Sequence, residues 1–144
     1  MSWPDPRPGL VIRYSYLWSR EAALGQDEGL KDRPCAIVLA VEQGDGTRVY
    51  VLPITRSPPA EASEAVELPA AVKTRLNLDE SRSWVMLTET NSFIWPGPDL
   101  RTRPGEGSDT IAYGFLPPAL FRTIRDRFVK RARARQAAVT ARTE

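Results

Sequence analysis

The sequence contains no histidine among its 144 residues. Histidine is the usual general base at neutral pH and the commonest metal ligand, so its absence excludes His-dependent catalytic triads and histidine metal sites. Any catalysis by this chain must therefore use carboxylates, hydroxyl groups and arginine.

Cysteine and long hydrophobic runs are also scarce. A single cysteine, Cys35, excludes an internal disulfide and a multi-cysteine zinc site, and its place in an apolar run indicates a core residue. No window approaches the roughly 18 apolar residues that a membrane-spanning helix needs. Residues 1–8 hold three prolines and no apolar segment, so we expect no signal peptide, no membrane partner and a cytoplasmic location.

Common catalytic and cofactor motifs are missing as well. The sequence has no glycine-rich phosphate loop, no Gly-x-Ser-x-Gly motif and no acidic metal cluster. We therefore expect neither a bound metal nor a cofactor.

The net charge of +2 conceals an asymmetry along the chain. Residues 122–144 hold eight Arg and Lys residues against two acidic ones, whereas residues 1–121 hold twelve basic and sixteen acidic residues. We expect a proline-rich arm over 1–8, one domain over 9–129 and a basic tail over 130–144. Such a tail is predicted to be solvated, frayed or bound to an acidic partner.

Two apolar runs, 35–41 and 49–54, form the centre of the predicted fold. A short polar stretch with Asp45-Gly46 separates them, which predicts a tight antiparallel hairpin. The start of the first strand then lies beside the end of the second, so Arg33 and Thr55 are expected at the same edge of the sheet.

The remaining chain predicts further strands and two helices, and so a mainly β fold with α (α+β). Residues 9–18 predict a strand with Arg13 and Ser15 on one face, and residues 19–31 a loop that is either a lid or an inert excursion. The other expected elements are strands over 65–68, 83–91 and 110–116, a helix over 69–76, and a closing helix from Pro117 with an apolar stripe of Leu120, Phe121, Ile124 and Phe128.

Three polar residues of complementary type stand at strand ends: Arg33, Thr55 and Glu89. Each has an ordinary alternative explanation, namely a surface arginine, a strand-end threonine and a solvated carboxylate. The strand over 83–91 is apolar at first and then polar, so Glu89 and Asn91 are expected to be exposed. A shared location is what makes these residues candidates for a site.

The order of these features resembles the MazF/PemK family. Its anchors here are the opening Gly9-Leu10 strand, Arg33-Pro34, Pro53-Ile54-Thr55, the strand before Glu89 and the closing helix, and together they span residues 9–130. The resemblance implies a small SH3-like or CcdB-like barrel of antiparallel strands. It also implies a homodimeric toxin of a type II toxin–antitoxin system, a metal-independent endoribonuclease whose partners are single-stranded mRNA and a cognate antitoxin.

The resemblance assigns the functional pair of the family to Arg33 and Thr55, with Glu89 nearest to a carboxylate that takes part in some members. Attack by a ribose 2′-hydroxyl needs a proton acceptor, a cation at the phosphate and a donor to the leaving oxygen. Arg33 is expected to stabilise charge and is the candidate donor, Thr55 to bond the phosphate, and Glu89 to accept the proton.

RNA contacts are predicted for five further residues, because unpaired bases stack on aromatic rings and phosphates bind polar groups. These residues are Arg13, Trp18, Arg56, Asn91 and Trp95. Core filling or dimer packing is the alternative for the aromatic residues.

Three departures from the family pattern bear on the choice of substrate. The loop over 19–31 is long and lacks a Gly-Gly run, the segment 95–98 replaces a basic stretch, and the tail is extended and basic. A non-catalytic protein of the same fold that binds nucleic acid or a protein target is the main alternative. A structural β-barrel with a basic tail is the third.

Overall fold

A computed structural model of the chain describes residues 3–25, 31–44, 46–102 and 111–142. Within these ranges the elements are β1 (Leu10–Tyr14), α1 (Ser19–Ala23), β2 (Arg33–Gln43), β3 (Gly46–Thr55), β4 (Ala65–Glu67), α2 (Ala70–Arg75), β5 (Trp84–Met86), β6 (Glu89–Ile94), β7 (Ala112–Phe115), α3 (Pro118–Arg133) and β8 (Ala138–Ala141). None of the helices in these ranges combines the length and apolarity that a membrane crossing needs. Asp45 of the predicted turn, residues 26–30 of the predicted loop and Thr110 of the predicted strand lie outside the described residues.

The hairpin of β2 and β3 is the centre of the sheet, as predicted. Cys35 stands opposite Pro53 and Gln43 opposite Gly46, with a register shift between Ile37 and Leu39. Because the strands are antiparallel, the start of β2 and the end of β3 lie at the same end of the hairpin.

The rest of the sheet grows outward from this hairpin. β1 pairs with β2, and β7 pairs with β1, both antiparallel. β3 changes partner along its length: its first half pairs with β6, and its last two residues pair with β5, which in turn pairs with β4. The single strand expected over 83–91 is therefore two strands, interrupted at Leu87–Thr88.

The prediction of a mainly antiparallel β fold with a C-terminal helix is confirmed. In the described ranges the strand path runs β4-β5-β3-β2-β1-β7 without closing. The sheet is thus open and only barrel-like.

Apolar side chains pack on both faces of the sheet. On one face α3 buries Ile124 and Phe128 against Val38 and Leu52, and the other face is filled by a second cluster that includes Phe93. Ile124 and Phe128 belong to the apolar stripe predicted for this helix, and each fully buried side chain of this size contributes about 1.5–3 kcal/mol of transfer free energy.

The alternative of a frayed tail is wrong for residues 138–142, although most of this segment is solvent-exposed. After α3 the chain turns at Arg135, whose φ is 59°, and β8 pairs in parallel with β6. The side chain of Arg142 is only 1% exposed. The sequence did not predict this strand, because a short strand that pairs with a strand distant in sequence has little local pattern of its own.

Candidate functional site

A cleft of about 640 Å³ opens where β2 begins and β3 ends. One side is the α1 wall, formed by Tyr16, Trp18, Arg20 and Glu21. Its floor and far side include Lys31, Asp32, Arg33, Pro34, Ile54, Thr55, Arg56, Ser57, Leu78, Asp79 and Ser83. The structure thus places Arg33 and Thr55 in one cleft, together with Trp18 and Arg56.

Arg33 is half-buried and oriented by an aromatic ring. Its Cζ lies 5.0 Å from the centroid of the Trp18 ring, within the range of a cation–π contact. Its Nε is buried and has no hydrogen-bond partner in the described part of the chain. Burial lowers the pKa of Arg33, and the nearby Glu21 carboxylate partly opposes that shift. A buried donor without a partner is costly, so the cation–π contact with Trp18 has to offset part of that cost.

Thr55 and Arg56 supply further polar groups at the end of β3. The Oγ1 of Thr55 accepts a hydrogen bond from the Ser57 amide at 3.1 Å, and its hydroxyl proton is still available to a ligand. Arg56 is exposed, with Nη1 3.8 Å from Oδ2 of Asp79. Both residues can therefore contact a phosphate that lies beside Arg33.

A buried lysine that no sequence motif singles out holds the Asp79 and Ser83 side of the cleft. Nζ of Lys73 donates to Oδ1 of Asp79 at 3.0 Å, to Oγ of Ser83 at 2.8 Å and to the Ser81 carbonyl. The hydrogen bond from Lys73 holds the pKa of Asp79 below its usual value. Lysine in a short helix normally indicates a solvated face, so this buried network could not be read from α2 alone.

The expectation that Glu89 is exposed is wrong. Its carboxylate accepts hydrogen bonds from the Ser19 amide at 2.8 Å and from the Tyr16 hydroxyl at 3.2 Å, and the residue is 9% exposed. The segment before α1 covers Glu89, and β8 pairs with its backbone, so it does not line the cleft. Burial, followed by the charge of Glu89, raises the pKa of Tyr16.

Asn91 is likewise buried rather than available to RNA. Its side chain accepts from the Leu17 amide at 2.9 Å and donates to the Leu17 carbonyl at 2.7 Å. These two bonds imitate the pairing of a neighbouring strand, so Asn91 has a structural role here.

Two other predicted RNA contacts lie outside the cleft. Arg13 forms an ion pair with Asp32 across 3.7 Å and is not among the residues that line the cleft. The ring of Trp95 stacks on Phe93 with centroids 6.2 Å apart and is half-buried. Of the five predicted contacts, the cleft therefore contains Trp18 and Arg56.

Glu21 is the cleft carboxylate that sequence reasoning missed. It is buried, and Oε1 accepts a hydrogen bond from the Trp18 amide at 3.1 Å, which fixes the start of α1. The other two cleft carboxylates form ion pairs, Asp32 with Arg13 and Asp79 with Lys73. An acidic residue in the first turn after Ser19 is the signal that could have identified it.

Metal ligands and related proteins provide no further assignment. In the ranges that the structure describes, no three Cys, Asp or Glu side chains are grouped so as to hold a metal ion. Comparison with protein-family models, with curated proteins and with solved structures gave no match. The function is therefore argued from the cleft.

Proposed function

We propose that the protein is a metal-independent endoribonuclease that cleaves single-stranded RNA in this cleft. In this proposal it is the toxin of a type II toxin–antitoxin pair, as in the MazF/PemK family that its sequence resembles. The observation that supports it most is the Arg33 guanidinium, held by Trp18 in the cleft that Thr55 also lines.

The charges that line the cleft suit a phosphodiester. Arg20, Lys31, Arg33 and Arg56 are its cations. Two of its three carboxylates already have partners outside the lining, Asp32 in Arg13 and Asp79 in Lys73. Asp79 also lies 3.8 Å from Arg56, which lines the cleft. Arg33 binds the phosphate through charge-assisted hydrogen bonds, Thr55 adds a neutral donor, and an unpaired base stacks on the half-buried Trp18.

The proposed reaction is transesterification by the neighbouring ribose. The 2′-oxygen attacks phosphorus, the bond from phosphorus to the 5′-oxygen breaks, and the products are a cyclic phosphate and a 5′-hydroxyl. Glu21 accepts the proton of the 2′-hydroxyl, the role first expected of Glu89. Arg33 stabilises the charge that develops on the phosphate oxygens. Because arginine keeps its proton at neutral pH, water in the open cleft protonates the leaving oxygen.

The proposal includes a homodimer and an acidic antitoxin as partners. Helix α3 exposes Arg122 and Lys130 on a chain whose first 121 residues are net acidic. An acidic antitoxin segment complements that face by charge.

A second candidate is a protein of this fold that binds RNA without cleaving it. The position of Glu89 favours this reading, because the residue first expected to accept the proton does not line the cleft. Both candidates bind RNA in the same cleft. They differ in whether Glu21 accepts a proton from the 2′-hydroxyl.

Incubation of the pure protein with a long unstructured RNA in excess EDTA tests the proposal. We expect fragments with cyclic-phosphate and 5′-hydroxyl ends. Binding without fragments would support the second candidate, and neither binding nor fragments across several unrelated RNAs would contradict both.

A further inference from the structure

The segment from Ser15 to Ser19 joins β1 to α1 and is largely buried without a strand partner in the described chain. Buried backbone groups need hydrogen-bond partners, and here side chains from β6 provide them. Asn91 bonds both the amide and the carbonyl of Leu17, and Glu89 accepts from the amide of Ser19. The position of this segment therefore depends on where those two side chains are held.

Arg142 completes this set of side-chain contacts from the other end of the chain. Its Nη1 donates to the Ser15 carbonyl at 2.6 Å and to Oδ1 of Asn91 at 3.0 Å. Its Nη2 lies 3.2 Å from Oδ1 of Asp99, an ion pair whose angle is not that of a hydrogen bond. A guanidinium that is 1% exposed is stable only with such partners, so these contacts fix its place.

Strand β8 delivers Arg142 to this position. β8 pairs in parallel with β6 from Glu89↔Ala138 to Ser92↔Ala141, and the Arg142 amide then donates to the Ser92 carbonyl at 2.8 Å. Its own surface is largely solvent-exposed, with Val139 59% exposed. Most of the β8 surface is exposed, so its backbone pairing with β6 and the buried Arg142 side chain hold it in place.

The segment that Arg142 supports forms half of the α1 wall. Tyr16 and Trp18 line the cleft, and the Trp18 ring supports the guanidinium of Arg33. A continuous series of contacts thus runs from Arg142 through Asn91 and Leu17 to the residue beside Arg33.

We propose that Arg142 is a positioning residue: delivered by β8, it holds the Ser15–Ser19 segment and thereby sets the place of Trp18 in the cleft. Its consequence for RNA rests on the proposed function.

Amide hydrogen exchange on Arg142→Ala, Arg142→Lys and Asp99→Asn tests the positioning. In Arg142→Ala we expect the amides of Leu17 and Ser19 to exchange at least about tenfold faster, the effect of losing a hydrogen bond to a charged group. Amides in the centre of the β2–β3 hairpin should keep their protection. Lysine should restore protection only in part, because it lacks the fork that reaches Ser15 and Asn91 together. Arg133→Ala removes an exposed charge and is the matched control.

Unchanged exchange at the Leu17 and Ser19 amides would overturn the proposal. An equally large increase in the exchange rates of the hairpin amides would also overturn it, because it would mean a general loss of stability. If Arg142→Ala does not fold, the same exchange rates are compared between the hairpin and the Leu17 and Ser19 amides in Arg142→Lys and Asp99→Asn.

A second measurement uses an RNA made uncleavable by 2′-deoxy substitution. We expect this RNA to bind about tenfold more weakly to Arg142→Ala than to Arg133→Ala. Faster local exchange in Arg142→Ala, with no RNA binding even by the wild-type protein, would retain the positioning and contradict the proposed function. Local loosening without weaker binding would contradict the link to RNA.

Discussion

The guanidinium of Arg33 lies over the ring of Trp18, with 5.0 Å between Cζ and the ring centroid. The ring supports the cation through a cation–π contact at the point where β2 begins. A ligand in the cleft therefore meets a guanidinium that Trp18 already orients.

Replacing Arg33 by alanine should lower the rate of RNA cleavage by about 10²–10³-fold, the usual cost of removing one group that stabilises transition-state charge. Lysine should rescue poorly because it lacks the planar fork. Single-turnover cleavage rates measure the loss of activity. Urea unfolding curves check that each variant is still folded. Near-full activity of Arg33→Lys would show that bidentate contact is not needed.

Glu21 and Glu89 form a matched pair for assigning the proton acceptor. Glu21→Gln should slow cleavage by about 10²–10⁴-fold while RNA binding persists, because a general base is lost. Glu89→Gln should mainly lower the free energy of unfolding, by about 1–3 kcal/mol, since it weakens buried hydrogen bonds to Tyr16 and Ser19. The pH dependence of cleavage in both variants provides the check. A larger loss of activity in Glu89→Gln, at equal stability, would return the role to Glu89.

Trp18 is the proposed stacking surface for an RNA base, and Trp95 is the matched aromatic residue outside the cleft. Trp18→Ala should weaken binding of single-stranded RNA by about 1–3 kcal/mol, because a base loses its stacking surface. Trp95→Ala should have little effect on affinity, since that ring packs on Phe93 outside the cleft. Fluorescence anisotropy with a labelled oligonucleotide measures both. Equal losses in the two variants would place the RNA elsewhere.

The sequence predicted the hairpin and the shared edge of Arg33 and Thr55, because two apolar runs separated by a short polar stretch leave few registers. It misplaced Glu89 and Asn91, because the polar end of a strand indicates exposure only if nothing covers β6. The covering elements are the Ser15–Ser19 segment, which side chains of Glu89, Asn91 and Arg142 hold, and β8, which pairs with β6. Such long-range polar contacts have no periodicity, which is also why the buried Lys73 and Arg142 were not foreseen.

Asp79 should make stability depend on pH in the acidic range. Its folded-state pKa lies below the ordinary value of 3.8 because Lys73 donates to it, so its contribution is complete above that value. The contribution is lost as the pH falls through the lowered pKa. Asp79→Asn should therefore be less stable than the wild type at pH 7, and this difference in stability should become smaller as the pH falls below about 4. Urea unfolding midpoints of both proteins at pH 7 and below pH 4 test this. A difference in stability that does not become smaller would contradict the role of the ion pair.

The most direct test of the central claim is cleavage of an RNA that carries one 2′-deoxynucleotide. The cleaved linkage is first mapped on the all-ribose strand in excess EDTA, with Arg33→Ala purified in parallel to reveal contaminating nuclease. The deoxy substitution is then placed immediately 5′ to that linkage. We predict that the wild-type protein binds both strands equally and that cleavage disappears at the substituted linkage alone. Cleavage that continues there, or that is equally strong in Arg33→Ala, would contradict 2′-hydroxyl attack in the Arg33 cleft.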